Sequence, residues 1–197
     1  MKQSGVGALA VAMLWASTVL AADQYAIDPA HTSVGFSVQH LVISRINGTF
    51  PEVSGTIVYD EGDVTKSSVD VTIKAASIDT NVADRDKHLR SPDFLDVETY
   101  PTITFKSTRI ERQGEGDVCH GMLTLHGVSK EVAIPFAILG KITDPWGKIR
   151  LGVEGSMIIN RHDFGVNWNK TMDNGGLMVG DTVKITLNVE AIQQPAS

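Results

Sequence analysis

Cysteine is almost absent from this chain: of 197 residues, only Cys119 carries a thiol. A single cysteine excludes an internal disulfide and the cysteine-rich sites that hold zinc or haem. We predict that Cys119 packs as a half-buried small residue on a strand. Aromatic residues are also scarce, at 6% of the chain, so few large side chains are available to fill a core.

The common catalytic motifs are missing as well. The chain has no Gly-x-Ser-x-Gly elbow, no His-Glu-x-x-His helix and no phosphate-binding Gly-x-x-x-x-Gly-Lys loop. Residues 163–165 spell Asp-Phe-Gly, but no other element of a kinase accompanies them. Asp84, Asp86 and His88 are close in sequence, yet helical spacing separates their side chains. We therefore predict no catalytic residue, no metal site and no cofactor.

Positive charge is sparse and scattered. There are 17 Lys and Arg residues against 23 Asp and Glu residues, and the net charge is −6 at pH 7. An acidic chain without a Lys/Arg cluster argues against nucleic acid and against anionic membrane surfaces as partners, and we predict that nucleic acid is not bound.

The first 21 residues differ from the rest in composition. Lys2 precedes an apolar run from Val6 to Leu20, and Val19 and Ala21 fit the small-residue pattern of signal-peptidase cleavage. The run is shorter than the ~20 residues of a membrane-spanning helix, and Ser and Gly interrupt it. We predict a cleaved signal peptide over residues 1–21, one mature domain over residues 22–197, and export to the bacterial periplasm.

Alternation of apolar and polar residues dominates the mature domain. This period of two is typical of strands with one buried and one solvated face. Six apolar files show it: Val34–Val38, Val69–Ala75, Ile103–Phe105, Val132–Ile138, Leu151–Met157 and Val183–Val189. With Gly48–Tyr59 and Val118–His126 they make about eight strands, whose short connections imply antiparallel neighbours. Pro135 lies within one run and predicts a sheet edge or a bulge there.

Eight antiparallel strands with one apolar face can form a sandwich or a closed barrel. Closure removes exposed edges, and an eight-stranded barrel can hold one small ligand inside. The inward files are mostly Val, Ile and Leu, with few large aromatic residues. These features favour an all-β, eight-stranded antiparallel barrel around an elongated apolar cavity.

The segment 80–105 breaks the alternation, because residues 84–90 carry five charged side chains and a histidine. We predict a short helical insertion and a proline-bounded loop over one end of the barrel. The apolar side chains that would face the interior are Leu89, Phe94 and Leu95. The polar ones that would hold the segment to the rim are Arg85, Asp86 and His88. Whether this end opens to admit a ligand is left open.

Two groups of residues allow alternative interpretations. Arg85-Asp86 and Arg161-His-Asp163 are typical of charge-assisted ties between a loop and a rim, although an arginine could instead contact a polar ligand head. Phe164 and Trp168 lie at period-two spacing before a Gly-rich stretch, so they either line a pocket mouth or cap the core.

Several blocks of the chain resemble the YceI-like family. The first is Tyr25-x-Ile27-Asp28-x-x-His31-Thr-Ser33-Val-x-Phe36-x-Val38-x-His40. The others are Gly48-Thr-Phe50, Ile78-Asp-Thr80, Arg85-Asp86-x-His88-Leu89, Asp93-Phe94, Pro101-x-Ile103-x-Phe105-x-Ser107, Gly121-x-Leu123-Thr-Leu125-x-Gly127-Val-x-Lys130 and Arg161-x-Asp163-Phe164-Gly165. The blocks occur in order over nearly the whole mature domain. One departure is Leu95, where many relatives carry a second aromatic residue.

This resemblance implies a lipocalin-like barrel that is exported and carries a long apolar molecule, such as a polyisoprenoid or an isoprenoid quinone. It implies no catalytic residues. We therefore expect a non-enzymatic carrier whose ligand-binding residues are Phe36, Val38, Val71, Ile73, Leu89, Phe94, Ile103, Phe105, Leu123, Leu125, Phe136, Ile138, Phe164 and Trp168.

Two other functions stay open: a quinone-linked redox accessory or enzyme, and a stress-protective structural protein without a ligand. The expected partners are the isoprenoid lipid or quinone and, transiently, a membrane or a membrane cytochrome. Exposed strand edges can also pair two copies into a homodimer.

Overall fold

The structure is a computed structural model that describes residues 22–114, 116–171 and 177–195. The predicted signal peptide, residues 1–21, lies outside the described residues. Among the described residues, no helix is long and apolar enough to cross a membrane.

The described chain is almost entirely β-structure, as its alternating pattern predicts. The strands are β1 (Asp23–Ile27), β2 (Ser33–His40), β3 (Ser44–Thr49), β4 (Val53–Tyr59), β5 (Ser68–Lys74), β6 (Thr102–Gln113), β7 (Gly116–Leu125), β8 (Val128–Thr143), β9 (Ile149–Asn160) and β10 (Val179–Gln193). One α-helix, α1 (Ala83–Arg90), and four short 3₁₀ turns complete the described part: Pro29–His31, Val64–Lys66, Ala75–Ser77 and Arg161–Phe164.

The sheet closes into a barrel. Strands β1, β4, β5, β6, β7, β8, β9 and β10 follow one another as antiparallel neighbours, and a pairing of β1 with β10 completes this ring of eight. The β2–β3 hairpin is attached to the first part of β10 and stands outside the ring. The predicted eight-stranded antiparallel barrel with a short helical insertion is confirmed.

One predicted strand is broken, and one strand of the ring was not predicted. β1 pairs with the end of β10 and β2 pairs with its beginning, and the turn Pro29–His31 separates them. The sequence analysis did not predict β1, which contributes two buried residues, Tyr25 and Ile27. The predicted strand Gly48–Tyr59 is interrupted at Pro51, which has no N–H to donate to a ladder.

Pro135 lies on the part of β8 that has a neighbouring strand on one side only, which agrees with the predicted sheet edge. β8 pairs with β9 only from Phe136 onwards. On its other side Pro135 is paired with Val118 of β7. The missing N–H of proline therefore costs no hydrogen bond to β9.

One charged cluster ties the strands together at the end of the barrel where the β8–β9 turn lies, which we call the far end. Arg150 donates from Nε to Asp144 Oδ2 at 2.6 Å and from Nη1 to Asp28 Oδ2 at 2.9 Å and Glu190 Oε1 at 2.5 Å. His31 also bonds Asp28, at 2.8 Å. Because this arginine is only 14% exposed, it joins segments that are far apart in sequence at a largely desolvated point.

We expect this cluster to make stability depend on pH. Hydrogen bonds from His31 and then from Arg150 lower the pKa of Asp28, and the hydrogen bond from Arg150 lowers the pKa of Asp144. Because both pKa values are lower in the folded state, the contribution is complete above the unfolded pKa of about 3.9 and is lost as the pH falls through the folded values. The test measures the urea midpoint of the wild type and of Arg150→Met from pH 7 to pH 2. The variant is less stable at pH 7, and the difference shrinks as the carboxylates are protonated. A difference that does not change with pH would contradict this assignment.

Candidate functional site

The barrel encloses a cavity of about 590 Å³. At one end, which we call the mouth, it is bordered by Gln39 and His40 at the end of β2 and by residues of α1. At the other end it reaches Tyr59, Val64 and Cys119. The cavity therefore extends along the barrel interior, and nearly all of the side chains that line it are apolar.

Strand register explains why the lining is apolar. Val71 of β5 lies opposite Phe105 of β6, and Phe105 lies opposite Leu123 of β7. Ile73 and Ile103 are paired in the same way two residues further on. Because side chains alternate between the two faces of a strand, aligned apolar files on neighbouring strands all point into the barrel.

The ligand-binding residues predicted from the sequence line this cavity, with one exception. The residues found in the lining are Phe36, Val38, Val71, Ile73, Leu89, Phe94, Ile103, Phe105, Leu123, Leu125, Phe136, Ile138 and Trp168.

Phe164 is the exception, and its placement corrects the prediction. It is 2% exposed and packs against Ala75, Leu123 and Ile159 in the core instead of lining the cavity. The period of two fails here because residues 161–164 form a 3₁₀ turn, and Gly165 ends it in a left-handed conformation at φ 77°. Of the two interpretations left open, Phe164 caps the core and Trp168 lines the mouth.

The prediction missed part of the lining that β9 and β10 provide. These residues are Val153, Met157, Val183, Ile185, Leu187 and Val189. Their alternation was visible in the sequence. What the sequence did not show is that both strands contribute several side chains to the cavity, which depends on how the barrel closes.

The helical insertion covers the mouth, and its first turn is anchored by Thr80. Asp86 is buried, and its Oδ1 accepts from the backbone N–H and the hydroxyl of Thr80, at 2.9 and 2.5 Å. Arg85 donates to the hydroxyl of Thr80 at 2.7 Å and to its carbonyl at 2.8 Å. The residue before the helix is Val82, whose side chain offers no capping oxygen. Both charged residues therefore serve to hold the insertion in place.

We expect Asp86→Ala to loosen the insertion. It leaves two buried donors of Thr80 without an acceptor, which costs about 1–3 kcal/mol of unfolding free energy. Hydrogen exchange measured by mass spectrometry should be faster in residues 80–95 of the variant than in the same residues of the wild type. Exchange in the strands should change little. The control is Asp84→Ala, on the same helix but exposed, which should change exchange only slightly. Equal effects of the two substitutions would show that the buried carboxylate is not the anchor.

An aromatic cluster joins the insertion to the segment after β9. The ring of His88 lies 5.0 Å from the rings of Phe94 and Trp168, edge-on to both, and Phe94 and Trp168 are 5.1 Å apart. His88 also bonds the carboxylate of Asp93 at 2.8 Å. Since all three rings line the cavity, they form one wall of its mouth.

Arg161 holds the other side of the mouth. It is 4% exposed and donates to the carbonyls of Val166 at 2.7 Å, Trp168 at 2.9 Å and Gly180 at 3.0 Å. Burial lowers the pKa of its guanidinium, and the nearby Asp181 acts in the opposite direction. Its hydrogen bonds join the segment after β9 to the start of β10. Its hydrogen-bond partners are backbone carbonyls, so the arginine has a structural role at the rim.

The deep end of the cavity offers little chemistry. Cys119 lies there, and burial raises the pKa of its thiol to about 11. A thiol that stays protonated at neutral pH is a poor nucleophile. Asp28, His31 and Glu190 place ligand atoms within 4.8 Å of one another at the far end, but Arg150 already bonds both carboxylates. The arrangement can bind an apolar chain.

An eight-stranded antiparallel barrel around an apolar cavity defines a lipocalin-like binding fold. The family model described as the YceI-like domain matches residues 25–191. The chain belongs to the YceI-like family.

A relative supports this assignment, and two solved structures share the fold. A UPF0312 protein of Serratia proteamaculans is 41% identical over 196 residues, which is 98% of each chain. The structure of Burkholderia cenocepacia BcnA matches with a TM-score of 0.73 at 24% identity, over 83% of this chain and 98% of that one. A polyisoprenoid binding domain from Saccharophagus degradans, implicated in plant cell wall breakdown, matches with a TM-score of 0.63 at 15% identity, over 86% and 98%. At these identities the two structures show the fold.

Proposed function

We propose that this protein binds and carries a long apolar lipid of the isoprenoid class, a polyisoprenoid or an isoprenoid quinone, inside its barrel. The observation that carries the proposal is the continuous apolar cavity of about 590 Å³. This volume is within the range of ligand-binding cavities, roughly 300–1,000 Å³. An isoprenoid chain has no polar atoms along its length, so it needs only a dry, preformed channel.

Two further facts support the proposal. The fold is shared with a domain that is described as polyisoprenoid binding. Four polar side chains of the lining, Gln39, His40, Arg85 and His88, lie at the mouth, where the head group of a lipid would meet water. We further propose that the protein works in the periplasm, on the basis of the signal-peptide features of residues 1–21.

Binding rather than catalysis is the role that the cavity supports. The deep end presents mostly apolar side chains, and its thiol stays protonated and is a poor nucleophile at neutral pH. A barrel filled by its own side chains would leave no such space, so the cavity also favours a ligand over a purely structural role. A redox accessory that holds a quinone would use the same cavity and would differ only in showing turnover.

The experiment is to identify what the purified protein contains. It is extracted with organic solvent, and the extract is analysed by mass spectrometry beside a mock purification without the protein. We expect about one isoprenoid lipid per protein molecule. A protein that never yields a bound lipid, and that also fails to take up an added isoprenoid, would refute the carrier function.

A further inference from the structure

The β2–β3 hairpin carries an exposed apolar turn, residues Leu41–Ile43, which we call the tip. Val42 is 61% exposed and Ile43 is 86% exposed. Leu41 and Val42 both have left-handed backbones, with φ of 51° and 65°. A β-branched residue is strained in this region, and hairpin turns normally place Asn or Gly there. The chain therefore keeps apolar side chains in water at positions where polar residues or glycine would cost less.

The tip stands at the mouth of the cavity. The N–H of Leu41 donates to the carbonyl of Met178 at 2.9 Å. Met178, Gln39 and His40, which lie next to the tip, all line the cavity. Leu177, adjacent to Met178, is another exposed apolar residue. An exposed apolar surface is thus continuous with the rim of the apolar cavity.

The charge of the hairpin differs from that of the whole chain. Residues 29–51 contain no Asp or Glu and include Arg45, although the net charge of the protein is −6. Asp181, a carboxylate at the start of β10, is bonded by His162 at 2.8 Å. The overall acidity that argues against anionic membranes therefore does not extend to the hairpin.

We propose that the Leu41–Ile43 tip docks on the surface of a phospholipid bilayer and brings the cavity mouth against the membrane. This inference rests on the proposed function, because a water-insoluble isoprenoid must enter from a membrane and return to one. Apolar side chains at a tip, beside a basic residue and without carboxylates, suit shallow insertion between anionic or zwitterionic head groups. A second copy seated on the tip would instead cover the mouth and block this route.

Vesicle flotation tests the docking. The full-length mature protein is mixed with vesicles of phosphatidylethanolamine and phosphatidylglycerol, and the floated fraction is measured. The tip variant is Val42→Asn with Ile43→Ser. We expect its vesicle binding to fall about tenfold, since two apolar side chains no longer insert. Its thermal midpoint should stay the same or rise, because Asn accepts the left-handed backbone more readily.

Ile142→Ser is the matched control. Ile142 is exposed, at 64%, as Val42 and Ile43 of the tip are, but it lies on β8 near the far end of the barrel. It should float like the wild type. Flotation that is equal for the tip variant and the wild type overturns the docking proposal, as does a wild type that contains lipid but never binds vesicles. A tip-dependent dimer in sedimentation, without vesicle binding, would assign the tip to a second copy. The two proposals fail in different experiments. Absence of lipid from the solvent extract refutes the carrier function, whereas flotation measures vesicle binding whether or not the protein contains a lipid.

Discussion

Replacing Phe105 by Asp should abolish the binding of lipid in the cavity. Phe105 lines it on β6, flanked by Val71 and Leu123 on the neighbouring strands. A carboxylate at this point faces an apolar lining and, when a lipid is bound, is removed from water. The penalty for such a charge without a partner is several kcal/mol. We expect the amount of lipid extracted per protein molecule to fall at least about 100-fold.

Two controls separate charge from packing. Phe105→Leu keeps the position apolar and should retain most of the lipid. Thr102→Asp adds the same charge to the same strand, but Thr102 is exposed and outside the lining, so lipid content should be unchanged. Circular dichroism and the urea midpoint establish that each variant is folded. A folded Phe105→Asp protein with the lipid content of the wild type would remove Phe105 from the binding site.

Replacing Arg161 by Met should cause the largest loss of stability from a single change at the mouth. Three buried or half-buried carbonyls lose their donor, and each unsatisfied group costs about 1–3 kcal/mol. Allowing for relaxation and water entry, we expect the free energy of unfolding to fall by about 2–4 kcal/mol. For a domain of this size that lowers the thermal midpoint by roughly 10 °C.

Arg161→Lys and Arg45→Met provide the comparison. A lysine keeps the charge but lacks the planar fork that reaches several carbonyls at once, so its midpoint should lie between those of the wild type and Arg161→Met. Arg45 is exposed on β3, and its removal should change stability by no more than about 0.5 kcal/mol. If Arg161→Met unfolds at the same denaturant concentration as Arg45→Met, the carbonyl contacts do not stabilise the mouth.

The strands that carry the cavity could be predicted because their signal is local. The files Val69–Ala75 and Ile103–Phe105 have the period of a strand, and the face that is apolar must be the buried one. The insertion could be predicted for the same reason, since the charges around Asp86 interrupt the period. Phe164 was misplaced because a short 3₁₀ turn leaves no pattern in the sequence, and a period-two spacing continues through it by chance.

The sequence by itself determined that this chain makes antiparallel strands with one apolar face, and which residues of each strand lie on that face. Only the tertiary structure decided how the ring closes, because β1 and β10 pair with each other although they lie near opposite ends of the sequence. It also decided the position of the tip at the mouth and the partners of Arg161. Those partners are backbone carbonyls, and a carbonyl has no signature in a sequence, since every residue carries one.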